Sequence, residues 1–159
     1  MVERKPILCL DFDGVLHSYS SGWKGPRNIP DPPVPGAIEW LRHALYYFDV
    51  QILSSRSHYW FGRAAMRRWL ILHMTEWLDS HVQRGWPPLP GIDLDWGEPY
   101  DDALRHAAES VVRLVGFPLH KPPAMVTLDD RAIQFTGDWP SIESLLAFKP
   151  WHNRKKRAE

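Results

Sequence analysis

Four apolar residues, Ile7-Leu8-Cys9-Leu10, run directly into Asp11-Phe12-Asp13-Gly14, and this junction constrains the fold more than any other stretch. So short a run carries no helical stripe and reads as a strand buried on both faces, as in a parallel sheet. In open α/β sheets the chemistry sits just beyond the carboxyl ends of such strands, where Asp11 and Asp13 fall. Gly14 lets the chain turn sharply after them. Alone, the two aspartates read as turn residues. Two later runs change that reading. Val50-Gln51-Ile52-Leu53 ends in Ser54-Ser55-Arg56, and Ala124-Met125-Val126-Thr127-Leu128 ends in Asp129-Asp130-Arg131, with Lys121 just ahead of it. Three strand-like runs therefore deliver carboxylates, a hydroxyl and cations to strand ends.

This set, in this order, resembles the haloacid-dehalogenase-like (HAD) superfamily of phosphohydrolases over about residues 6 to 137. The family's D-x-D-G motif falls on Asp11, Asp13 and Gly14. Its strand-end hydroxyl falls on Ser54, first after the apolar run and so preferred to Ser55, its lysine on Lys121, and its acidic pair on Asp129 and Asp130. The resemblance implies an α/β, three-layer Rossmann-like fold: a central, mostly parallel sheet with helices on both faces and no large cap domain. It also implies a Mg²⁺-dependent phosphomonoester hydrolase working through an aspartyl-phosphate. Asp11 is then the nucleophile and Asp13 the acid and base, while Ser54 and Lys121 hold the phosphoryl group. The metal ligands it implies are the Asp11 carboxylate, the Asp13 backbone carbonyl and Asp129, with Asp130 binding directly or through water. An acid must carry its proton first, so Asp13 is expected to titrate above the ~3.9 of a free aspartate. Dehalogenase branches lack an acid at that position, so Asp13 favours phosphate chemistry.

Ser54-x-Arg56 and Asp129-Asp130-Arg131 resemble the phosphatase domain of polynucleotide kinase-phosphatase. That likeness implies Arg56 as a further phosphate contact and a nucleic-acid 3′ end as an alternative substrate to a small phosphorylated molecule. A non-catalytic scaffold with a tryptophan-rich surface is a third reading, against which the complete acid set counts.

The 159 residues are expected to form one domain over 1–150, followed by a basic, flexible tail at 151–159. Nineteen Lys and Arg balance nineteen Asp and Glu, so overall charge points to neither nucleic acid nor membrane as partner. Cys9 is the sole cysteine, which excludes an internal disulfide, and it reads as a small core residue. The first residues lack the apolar core of a signal peptide, and no run approaches the ~20 apolar residues of a membrane span. A soluble, cytoplasmic protein is expected.

Proline clusters mark loops. The stretch from His17 to Pro35 is an expected flap beside the site, with Trp23, Lys24 and Arg27 as candidate substrate contacts. Helices are predicted over Gly36 to Phe48, Tyr59 to Leu78, Asp101 to Val115 and Ser141 to Phe148. The second carries Phe61, Ala65, Trp69 and Leu72 as its buried stripe and Arg63, Arg67 and Arg68 as a solvated face. Short strands are predicted at Ile92 to Trp96 and at Ala132 to Phe135, the latter closing one sheet edge. The eight histidines show no zinc pattern and no P-loop is present. His17 and His58 follow motif residues closely and receive no role.

Overall fold

The computed structural model describes residues 4–85, 92, 94, 95 and 97–154. Its centre is a parallel three-stranded sheet of β1 (Ile7–Leu10), β2 (Asp49–Ile52) and β3 (Val126–Leu128), in the order β2-β1-β3. Cys9 stands between Gln51 and Thr127 in the ladder, and Leu10 between Ile52 and Leu128. Being central, β1 is covered on both faces, and Leu8, Cys9 and Leu10 are all buried.

The crossover from β1 to β2 is α1 (Ala37–Tyr47), which begins after Gly36 at φ 81° and buries Ile38, Leu41, Ala44 and Leu45. Next comes α2 (Trp60–Gln83), then α3 (Tyr100–Val112), packed against each other. Their buried faces join Leu8, Leu10, Val50 and Ile52 in one continuous apolar cluster. The chain then returns to the far side of β1 to form β3. Strand order thus reverses at β1, and parallel pairing puts all three carboxyl ends at one edge, the place where such sheets bind ligands.

Several elements differ from expectation. The buried stripe of α2 runs through Met66, Leu70, Met74 and Leu78 beside Ala65 and Trp69, so Leu72 falls outside it and is 54 % exposed. Arg67 and Arg68 are exposed, as a solvated face requires, with Arg67 stacked on Phe117. No strand forms at Ala132–Phe135. The Arg131 N–H donates to Asp129 Oδ1 (2.7 Å), a local turn that diverts the chain away from the free edge of β3. Val126, Leu128, Ile133 and Phe135 are exposed as a result. The last helix, α4 (Ile142–Leu146), is shorter than predicted and is capped by Ser141, whose Oγ accepts from the Ser144 N–H (3.1 Å). The strand expected at Ile92 to Trp96 lies partly outside the described residues; Ile92 and Leu94 pack against the core without strand pairing. Of the stretch expected as a tail, Trp151–Asn153 form a 3₁₀ turn docked on the body of the protein, and residues 155–159 lie outside the described residues. Among the described residues, no helix is long and apolar enough to cross a membrane.

Leu70 is fully buried where α2 meets the cluster. Leu70→Ala is therefore expected to lower unfolding free energy by about 2–5 kcal/mol in urea titration, as core truncations do.

Candidate active site

A cleft of about 490 Å³ opens at the carboxyl edge of the sheet, lined among others by Asp11, Asp13, Ser54, Lys121, Asp129 and Arg131. Parallel pairing continues one residue past β1, where the Asp11 N–H donates to the Leu128 carbonyl (2.9 Å). The Asp11 carboxylate accepts from the Phe12 N–H (2.7 Å), which sets its direction at the strand end. Past β2, Ser54 caps a 3₁₀ turn, Ser55–His58. Its Oγ accepts from the Arg56 N–H (3.3 Å) and its own N–H donates to Ser57 Oγ (3.1 Å). The Ser54 hydroxyl proton is thereby left for the cleft. Lys121 is exposed at the cleft wall, with Pro122 buried behind it.

One oxygen from each of Asp11, Asp129 and Asp130 lies within 4.8 Å of the others. Burial raises the Asp11 pKa to about 7, with the charges of Asp129, Asp130 and Asp13 adding to the rise and the Phe12 N–H opposing it. Asp130 is also raised, chiefly by burial, against the pull of Arg131 and His152. Both of its carboxylate oxygens are buried and accept no hydrogen bond. Arg131 Nε at 3.8 Å and His152 Nδ1 at 3.3 Å are near it, but neither is aligned as a donor. Crowded carboxylates with unsatisfied buried oxygens are what a hard divalent cation relieves, and an all-oxygen donor set suits Mg²⁺.

Gly14 makes this crowding sterically feasible. Its φ is +85°, and a Cβ there would lie 2.5 Å from Asp130 Oδ2 and 3.2 Å from His152 Cε1. Gly14→Ala is expected to cost about 1–3 kcal/mol for the strained backbone and to displace Asp130. Urea unfolding and Mn²⁺ titration read the two effects separately.

Asp13 is held differently from Asp11. Arg56, completely buried, donates from Nε to Asp13 Oδ2 (2.9 Å) and Oδ1 (3.2 Å), and from Nη2 to Oδ1 (3.1 Å). His17 Nδ1 is 2.8 Å from Oδ1, and its Nε2 accepts from the Asp31 N–H (3.2 Å). A ring nitrogen that accepts from a backbone amide carries no proton, so the other nitrogen donates to Asp13. Burial alone would raise the Asp13 pKa, but the hydrogen bonds from His17 and Arg56 and the Arg56 charge together hold it below the ordinary value. This corrects the expectation of a raised Asp13: the aspartates whose pKa is raised are Asp11 and Asp130. Arg56, expected as a phosphate contact, is instead buried against Asp13 and does not line the cleft.

The loop from His17 to Pro35 is fastened from below. Arg56 Nη1 donates to the carbonyls of Gly25 (2.7 Å) and Asn28 (3.2 Å), Trp69 Nε1 donates to the Asp31 carbonyl (3.2 Å), and the Asp31 carboxylate accepts from the Ser21 N–H (2.8 Å). Trp23 lies over the Arg56 guanidinium and Arg27 over the Phe61 ring; both side chains stay exposed, and neither they nor the exposed Lys24 line the cleft. The loop residue that does reach it is Tyr19, at a left-handed φ of 58°. His58, His120 and Arg131 complete the polar wall. Sequence reasoning gave no role to His17 and passed over Tyr19 and His152. His17 had a visible signal, since it follows Asp13 by four residues across the turn that Gly14 makes; the other two had none.

Comparison of the chain with protein-family models, curated proteins and solved structures finds no match.

Arg56→Met leaves the Asp13 carboxylate buried without its cation, and about 3–5 kcal/mol of stability is expected to be lost at neutral pH. A depressed folded-state pKa stabilises above the unfolded value, and the contribution is lost as pH falls through the folded value. Burial without Arg56 raises Asp13 in the variant, so the stability gap should be largest at neutral pH and shrink as pH falls through the variant's folded value toward the wild type's, which urea titrations from pH 7 to pH 2.5 measure.

Proposed function

We propose that this chain is a Mg²⁺-dependent phosphomonoester hydrolase of the HAD type, with a three-layer Rossmann-like domain and an open site. The observation that carries the reading is convergence. Side chains from the ends of all three parallel strands, Asp11, Ser54 and Asp129, meet Lys121 around one cleft at the switch point of the sheet.

Phosphoryl transfer needs a nucleophile in line and positive charge near the phosphoryl oxygens. Asp11 attacks phosphorus as the ester P–O bond breaks and the alcohol or phenol leaves as its oxyanion, which takes a proton from solvent, giving an aspartyl-phosphate, the carboxylate form of covalent catalysis. Asp11, Asp129 and Asp130 would hold Mg²⁺ together with the Asp13 carbonyl, and such an ion would supply positive charge beside the phosphoryl group and favour ionised Asp11. Ser54 donates its hydroxyl proton to a phosphoryl oxygen, and Lys121 places an ammonium on the same side. Asp13 accepts a proton from the water that hydrolyses the aspartyl-phosphate. Its pairing with Arg56 and His17 keeps it ionised and so open to a proton, though a weaker base than a free aspartate, and makes it a weak proton source for the first step. Esters whose leaving oxygen needs little protonation are therefore the better substrates.

The test is phosphate release in Mg²⁺ from aryl phosphate, alkyl phosphate, nucleoside monophosphates and 3′-phosphorylated DNA and RNA oligonucleotides. Aryl phosphate is expected to exceed alkyl phosphate, with Asp11→Asn and EDTA abolishing both. Ser54→Ala should lower kcat/KM by roughly 1.5–3 kcal/mol, the worth of one hydrogen bond to a charged group. Unchanged turnover in Asp11→Asn would refute the nucleophile assignment. Silence on every substrate from folded protein that binds Mg²⁺ would favour a scaffold. A polynucleotide 3′-phosphatase is the second reading, favoured by His58, His120 and Arg131 beside Lys121 on the cleft wall, where a neighbouring backbone phosphate would find donors. Preference for the oligonucleotides selects it.

A further inference from the structure

The 3₁₀ turn Trp151–Asn153 is far from the strand-end motifs in sequence yet sits against two of them. Trp151 Nε1 donates to the Gly14 carbonyl (2.7 Å), across 137 positions of chain. That bond carries the next side chain, His152, beneath Asp130. The His152 ring is 9 % exposed, its Nδ1 is 3.3 Å from Asp130 Oδ2, and the Tyr19 ring stands edge-on to it at 5.8 Å. Neither His152 Nδ1 nor either Asp130 oxygen has a hydrogen-bond partner. Gly14 leaves room for both side chains only because it lacks a Cβ. Arg131 also approaches Asp130, but its side chain is 57 % exposed and its guanidinium lies over Tyr19.

We propose that His152 is a positioning residue for the acidic cluster, donating from Nδ1 to Asp130 Oδ2 when a divalent ion is bound, and that Trp151 is the latch that keeps it there. The inference rests on the metal-centre reading given above. A small rotation of the Asp130 carboxyl converts the 3.3 Å contact into an aligned hydrogen bond and satisfies two buried orphan groups at once. It also fixes which oxygen the carboxylate can turn toward Asp11 and Asp129, as outer partners do for metal-ligating side chains. The segment after α4 is thereby part of the active site, and the site is complete only when the chain has closed back on Gly14.

The experiment is Mn²⁺ binding to the full chain, followed by the EPR signal of free Mn²⁺ and by thermal unfolding of the metal-free protein. His152→Ala is expected to weaken Mn²⁺ about 10- to 100-fold, the usual loss for such a partner, with metal-free unfolding nearly unchanged. His152→Asn, whose amide nitrogen can stand where Nδ1 stands, should recover most of the affinity. Trp151→Phe keeps His152 but loses the Gly14 bond, and should weaken Mn²⁺ in the same direction; it carries the test if His152→Ala does not fold. Affinity in His152→Ala within twofold of wild type, or equal losses in the Ala and Asn variants, overturns the role of His152. Wild-type protein that binds no Mn²⁺ overturns the metal-centre reading instead.

Discussion

The Asp13 carboxylate is where separate parts of this chain are tied together. Arg56 reaches it from the turn after β2, His17 from the start of the flap, and the same guanidinium holds the Gly25 and Asn28 carbonyls further along. A buried guanidinium is tolerated only when its donors are satisfied, and here they bond a carboxylate and two carbonyls. Releasing Asp13 would therefore free the flap, the turn that presents Ser54, and the base of the cleft together. The Trp69 ring adds a second clamp, meeting Phe12 at 5.0 Å and His17 at 5.7 Å and bonding the Asp31 carbonyl.

Two aspartates separated by one residue consequently live in opposite environments. Asp11 faces other carboxylates and is pushed up to about 7; Asp13 faces a guanidinium and an imidazole and is held down. Environments that drive the pKa values of neighbouring acids apart commonly mark a division of labour. In our reading one acid awaits a metal ion and attacks, and the other stays ionised to take a proton. Burial at the strand end raises Asp11 most, and the neighbouring carboxylates that add to it stem from the fold, since parallel pairing of β1 with β3 brings Asp129 and Asp130 alongside it.

How much of this was legible in the sequence followed from how local each signal was. The bounds of β1, the apolar spacing of α1 and the parallel arrangement could be read because short apolar runs and helical stripes are written in neighbouring residues. Gathering Asp11, Ser54, Lys121 and Asp129 on one cleft followed from their positions at or near strand ends. Arg56 was misread because a cation beside a strand-end hydroxyl looks the same in sequence whether it faces ligand or core; its burial is decided by Asp13, 43 residues away. The strand expected at Ala132–Phe135 failed for a nearer reason, the turn made by Asp129 and Arg131 just before it. His152 was invisible, since nothing in a basic tail tells that Trp151 bonds Gly14.

The most direct test of the central claim is chemical capture of the phosphorylated residue. Protein turning over an aryl phosphate in Mg²⁺ is quenched in acid, reduced with borohydride, which converts an aspartyl-phosphate to homoserine, and mapped by peptide mass spectrometry. Homoserine at position 11, absent from the Asp11→Asn variant, is the predicted result. Sustained phosphate release with no homoserine at position 11, or with homoserine at position 13 instead, would contradict the account.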